Sequence, residues 1–171
     1  MNLRTWIMHL DKEENIERVY QQMKKPLFLF ILSMVKNYDN AEDITEEVFL
    51  RMLKYYRSYH PWMNPKTWIY TIGKNAAYTF LEKNKELSYE DCDLERELHK
   101  HNLIQNEDSL MIEGYLAYLS DLEKQIVVLH IFGGLNHAEI AKLLSITHSQ
   151  VRSKYSYALK KLRKKVQSCE N

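Results

Sequence analysis

A chain of 171 residues makes one large domain or two small ones, and its 45% apolar, 12% aromatic composition excludes wholesale disorder. Four Gly and three Pro amid abundant Leu, Lys, Glu and Ala favour helix over sheet. The formal charge is only +1, so any strongly charged segment reflects local concentration.

The N-terminal stretch "MNLRTWIMHLDKEEN" lacks the apolar core and small-residue cleavage site of a signal peptide. The longest apolar run, "PLFLFILSMV", is half the roughly 20 residues that a membrane span needs. A cytoplasmic protein with no direct membrane insertion is the expectation. The first helix is predicted from about Glu14 to Lys36, with Ile16, Val19, Tyr20, Met23, Leu27, Phe30, Ile31 and Met34 on its apolar face and a bend at Pro26. Asn40 is predicted to cap a second helix, "AEDITEEVFLRMLKYY", that buries Ile44, Val48, Leu50 or Met52, and Leu53. Glu42, Asp43, Glu46 and Glu47 in its first turns suit the helix dipole and also make a negative patch. Asn64 then caps a third helix with Pro65 at its first position. Trp62, Lys66, Trp68, Tyr70, Lys74, Asn75, Tyr78 and Lys83 mix aromatics with cations and amides there, a combination that stacks on unpaired bases while holding their phosphates.

Residues 82–113 hold 4 basic and 10 acidic side chains with weak apolar periodicity, which reads as a linker or a poorly packed helix. Three capping boxes follow, at Ser120–Glu123, Asn136–Glu139 and Thr147–Gln150, with Gly133 and Gly134 ending the first of these helices. A short helix over His137–Leu144, the turn "SIT" and a longer helix with Val151, Tyr155, Ala158 and Leu162 on one stripe form a helix-turn-helix pattern. Between Glu139 and Val166 there is no further acid but eight cations: Lys142, Arg152, Lys154, Lys160, Lys161, Arg163, Lys164 and Lys165. Lys-rich helical faces are usually just solvated. Eight uncompensated cations after a capped turn favour DNA instead. His148, Ser149, Gln150, Arg152, Ser153, Lys154, Tyr157, Lys160 and Lys161 are the candidate contacts. Gln150, Arg152 and Lys154 suit base edges, and Lys160 onward suits the backbone.

In order and spacing, "NAEDITEEVFLRMLKYY", "NPKTWIYTIGKNAAYTFL" and "LSDLEKQIVVLHIFGGLNHAEIAKLLSITHSQVRSKYSYALKKLRKKV" resemble an extracytoplasmic-function (ECF) RNA polymerase sigma factor of the sigma-70 family. The resemblance implies an all-α chain of two small helical domains joined by a flexible acidic linker. A region 2-like domain over 1–84 would bind core RNA polymerase and the −10 promoter element. A linker over 85–108 would lead to a region 4-like helix-turn-helix domain over 109–171 that binds the −35 element. Carried onto this sequence, Asp43, Glu46, Glu47, Phe49 and Leu50 would contact core polymerase, although Asp43 also fits a capping role and Phe49 a core role. Trp62, Met63, Asn64, Lys66, Lys74, Asn75 and Tyr78 would read the −10 element, with Met63, Asn64 and Lys66 nearest a flipped base. Trp68 fits the core better than the interface. The family is commonly held inactive by an anti-sigma factor, and the free protein would be monomeric.

Several residues depart from the family pattern. Ser145 stands where Gly is usual, which implies mild backbone strain, and Glu46 stands where Gln is frequent. Asn136 replaces the common Ser or Thr cap, and Tyr155 and Tyr157 replace an aliphatic and a basic residue. No phosphate loop, nucleophile elbow or HExxH suggests an enzyme, and no cofactor is implied. Cys92, His99 and His101 are too loosely spaced for a zinc site, Cys92 and Cys169 leave a disulfide open, and His130, His137 and His148 read as scattered structural or surface groups. The competing reading is an autonomous helix-turn-helix regulator whose N-terminal unit dimerises or senses a ligand. It predicts stable dimers and tight operator binding, but leaves the aromatic-cationic helix without a task.

Overall fold

The computed structural model of the protein describes residues 2–84 and 114–169; the expected linker, the start of the region 4-like part and Cys92, His99 and His101 lie outside them. The described residues are helical and contain no strand. Helix α1 (Leu3–Met8), which the sequence reading did not anticipate, is capped by Asn2, whose side chain accepts from Thr5 N. It buries Leu3 and Ile7 and is tied to the next helix by Asn15, which donates to the His9 carbonyl at 2.8 Å.

Helix α2 (Glu13–Val35) runs through Pro26 as one element and ends with Lys36 in the left-handed region at φ 55. Its first half buries one stripe, Asn15, Val19 and Met23. From Leu29 to Val35 every residue is buried. A helix apolar on all sides must be covered on all sides. Helices α3 (Tyr38–Tyr55) and α4 (Pro65–Lys83) pack on it, and so do helix α5 (Asp121–Val127) and the π turn Val128–Phe132 from the C-terminal part.

The cap of α3 is Asn37, not Asn40. Asn37 accepts from the backbone N–H of Asn40, which lies inside the first turn. The helix therefore starts three residues early, because Tyr38 is buried and anchors that turn. Ile44, Val48 and Met52 are buried as the periodicity requires, while Leu50 is 67% exposed. Asn64 caps α4 by accepting from Lys66 N at 2.9 Å, with Pro65 at the first position.

In the C-terminal part all three capping boxes form. Ser120 and Glu123 cap α5, Asn136 and Glu139 cap α6 (His137–Leu144), and Thr147 and Gln150 exchange bonds of 3.1 and 2.8 Å before α7 (His148–Cys169). Gly133 and Gly134 end the π turn, Gly134 at φ 68. Val151 and Ala158 of α7 are wholly buried against this part. The two helical parts do not keep separate cores: their buried apolar residues form one continuous cluster.

Candidate nucleic-acid and polymerase interfaces

Helix α7 presents its expected face to solvent. His148, Ser149, Gln150, Arg152, Ser153, Lys154, Tyr157 and Lys160 are all exposed, while Val151 and Ala158 point into the core and Tyr155 is half-buried. Two members of the set carry structural duties. The Gln150 side-chain oxygen accepts from Thr147 N, and the Lys161 ammonium donates to Glu123 at 2.8 Å. Glu123 is buried; that burial raises its proton affinity, but bonds from Lys161 and Ser120 outweigh it and hold the carboxyl below its ordinary value of 4.5. Lys161 thus fastens α7 to α5 before it can serve a phosphate.

On α3, Asp43, Glu46 and Glu47 are exposed, and Glu47 pairs with Arg51 at 2.6 Å. Phe49 is half-buried, its ring 4.8 Å from that of Tyr20. Leu50 stands out among these carboxylates with most of its surface in water.

The third candidate surface divides in two. Trp62, 78% exposed, stacks on His60 with centroids 4.7 Å apart and planes within 8°. Asn75 and Tyr78 are also exposed. Trp68 is half-buried beside Tyr59 at 5.2 Å, and Met63 packs against the core. The remainder faces protein. Asn64 Nδ2 donates to Glu139 Oε1 at 2.5 Å, and Lys74 Nζ donates to the Leu143 carbonyl at 2.7 Å, both acceptors lying on α6. Tyr70, which the sequence reading placed among base-stacking aromatics, is wholly buried, edge-on to Phe30 at 5.5 Å. Gly133 makes room for it: a Cβ there would lie 2.8 Å from the Tyr70 hydroxyl oxygen and 2.5 Å from the Leu129 carbonyl. A Cβ on Gly134 would lie 2.6 Å from Lys66 Nζ. Beside these contacts an open cleft of about 360 Å³ is lined by Asn2, Leu3, Arg4, Asn64, Pro65, Lys66 and Gly134.

His130, His137 and His148, read from sequence as scattered, come together. The His137 ring lies 4.8 Å from His130 and 6.2 Å from His148, and Tyr155 packs edge-on against His130 and His137. They sit on three different elements, so no sequence spacing signals the cluster. His130 Nδ1 is 2.8 Å from the Leu135 carbonyl, and His137 Nε2 is buried without a hydrogen-bond partner. Burial, then the neighbouring His130, His148 and Arg152, lower the proton affinity of His137. Among the described residues, no group of three His, Cys, Asp or Glu side chains has the arrangement to hold a metal ion. Nor is any helix among them long and apolar enough to cross a membrane.

A capped helix-turn-helix with a basic outer face, preceded by a helical bundle with an acidic helix and an aromatic-cationic one, is the layout of a transcription-initiation factor. The sigma-70 region 2 model matches residues 19–86 and the sigma-70 region 4 model matches residues 115–164, together more than half of the chain. The ECF RNA polymerase sigma factor SigX of Bacillus subtilis is 25% identical over 162 residues, covering 89% of this chain and 84% of the relative. SigM of the same organism is 28% identical over 144 residues, covering 81% and 86%. Among solved structures, the sigma factor RpoE in complex with the anti-sigma factor NepR from Bartonella quintana has a TM-score of 0.65 at 17% identity, covering 90% of this chain and 98% of that one. CnrH in complex with the cytosolic domain of CnrY has a TM-score of 0.61 at 14% identity, covering 97% and 96%. The chain belongs to the sigma-70 family of RNA polymerase sigma factors, in its ECF group. It is a promoter-directing factor.

Proposed function

We propose that the three surfaces divide promoter-directed initiation among them. Helix α3 docks on core RNA polymerase through Asp43, Glu46, Glu47 and Leu50, with Phe49 supporting the helix from its half-buried position. Trp62, Met63, Asn64, Lys66, Lys74, Asn75 and Tyr78 capture the unpaired −10 strand, Trp62 by stacking and Asn64 beside the cleft. The start of α7 enters the major groove of the −35 element. Arg152 and Lys154 read base edges there, Gln150 holds the turn with its carbonyl oxygen, and Tyr157 and Lys160 meet the backbone.

The observation that carries this reading is Leu50. A large apolar side chain, 67% exposed one turn beyond the carboxylates of Asp43, Glu46 and Glu47, supplies an apolar anchor beside the acidic patch for a partner to cover. The factor acts without chemistry of its own, as a monomeric cytoplasmic protein, and an anti-sigma factor, like the one bound to the RpoE neighbour, holds it inactive.

The test is binding of purified wild type and of the Asp43→Lys/Glu47→Lys variant to bacterial core RNA polymerase. Wild type should bind tightly, and the double charge reversal should lose at least tenfold in affinity, about 1.4 kcal/mol, with an unchanged circular dichroism spectrum. Wild type that ignores core enzyme yet dimerises on duplex DNA would return the chain to the regulator reading.

A further inference from the structure

His130, His137 and His148 meet Tyr155 where the pieces of the helix-turn-helix part join: His130 on the π turn, His137 at the start of α6, and His148 and Tyr155 on α7. His137 is the hub. Its ring lies 4.8 Å from His130, 5.1 Å from Tyr155 and 6.2 Å from His148. The Leu135 carbonyl can only accept, so His130 keeps a proton on Nδ1 and leaves Nε2 as an acceptor when neutral. We propose that this cluster is an acid-released latch on the DNA-reading helix: its neutral rings hold the start of α7 against α6, and protonation releases it. This inference rests on the reading of α7 as the −35 reader.

The surroundings leave no place for positive charge. An imidazolium donates from both nitrogens, yet His137 Nε2 is buried with no hydrogen-bond partner. The titratable and charged groups that face His137 are His130 from the π turn and His148, Arg152 and Tyr155 from α7. None of these brings negative charge at neutral pH. From α4, Asn64 and Lys74 reach α6 at Glu139 and at the Leu143 carbonyl, and Lys66 lies against Gly134. Glu139, the acid of α6 itself, is engaged by Asn136 N and the Asn64 amide. His137 and His148 also stand at helix N-termini, whose dipoles disfavour cations.

Burial, then these cationic neighbours, hold the proton affinity of His137 down. A proton is therefore taken up more readily by a ring that has left its place than by one that stays. When His137 leaves, the end of α7 that carries His148, Gln150 and Arg152 loses its backing from α6 and the π turn. The sign of the outcome separates this latch from simple charging. Added positive charge on a basic surface strengthens DNA binding, whereas a loosened reading helix weakens it.

The experiment uses the full chain with isotope-labelled histidines, as wild type, His137→Phe and His137→Gln. Phenylalanine keeps a ring that takes no proton, and glutamine serves if the larger ring disturbs folding. Histidine ring signals and amide exchange are followed from about pH 7.5 to about pH 5.5. Binding is measured over the same range, at fixed salt, to a dye-labelled duplex that the wild type selects from a randomised pool at the higher pH. In the wild type, protection of the Arg152–Tyr155 amides should fall at least about fivefold as the His137 ring titrates, with α2 unaffected. Duplex affinity should fall at least about threefold over the same range. In both variants protection should hold, and affinity should stay level or rise. Wild-type protection or affinity that holds on acidification overturns the inference, and so does a fall that persists in both variants. If α7 loosens in acid yet no duplex is selected, the inference falls together with the −35 reading, while core-polymerase binding is judged separately.

Discussion

Helices α4 and α7 carry the two surfaces proposed to meet DNA, and they meet solvent differently. The candidate residues of α7 from His148 to Lys160 are all exposed, while Lys161 is fastened to Glu123 within its own part. The face of α4 is half covered by the other part, through Asn64, Lys66, Tyr70 and Lys74, whereas Trp62 ahead of it and Asn75 and Tyr78 along it are open. The same short helix underlies both situations: α6 buries Ile140 beneath the helix-turn-helix and offers Glu139 and Leu143 to α4.

Substitutions on α6 should therefore pull the two surfaces in opposite directions. The largest effect is expected of Ile140→Ala, which opens a cavity at a wholly buried position and should cost about 2–5 kcal/mol. Thermal unfolding should show that loss. Binding of duplex −35 DNA should fall while the α4 face becomes more accessible, and a parallel fall at both faces would break the comparison. A smaller effect is expected of acid. His137, at the start of α6, has its proton affinity lowered by burial and by His130, His148 and Arg152. The unfolded chain then binds the proton more readily, so stability is fully present above the ordinary value of 6.5 and declines as pH falls below it. Melting temperatures measured across that range should drop on acidification, and His137→Gln should flatten the dependence. The smallest effect is expected of Ser145→Gly. Ser145 ends α6 at φ 57, where glycine carries no side-chain penalty, so the change should stabilise by about 0.5–1 kcal/mol in urea unfolding. Duplex binding should be unchanged, since Ser145 precedes the reading helix.

Local signals made most of the fold legible. The boundaries of α6 followed from its capping box, and the start of α4 followed from Asn64 and Pro65. The cap of α3 was misplaced because Asn37 and Asn40 are both good caps; the burial of Tyr38, a tertiary fact, decides between them. The exposed residues of α7 were predictable because a stripe of Val151, Tyr155, Ala158 and Leu162 leaves only one face for solvent. The burial of Tyr70 was not, since its neighbours at Gly133 lie far away in sequence. One signal did exist: a helix half that is apolar on every side, Leu29–Val35, needs more cover than two neighbouring helices supply.

By itself, then, the amino-acid order determined most of the helices and their caps, the basic face of α7, the acidic face of α3 and the family they make up. These depend on side-chain periodicity and short-range hydrogen bonds, which act within a few residues. Only the tertiary structure decided that His130, His137 and His148 meet, that Lys161 is held by Glu123, and that α6 bonds to Asn64 and Lys74. Those outcomes depend on which apolar surfaces bury each other. Burial is non-directional and reaches across the whole chain, so the local sequence does not name the partner that covers each surface.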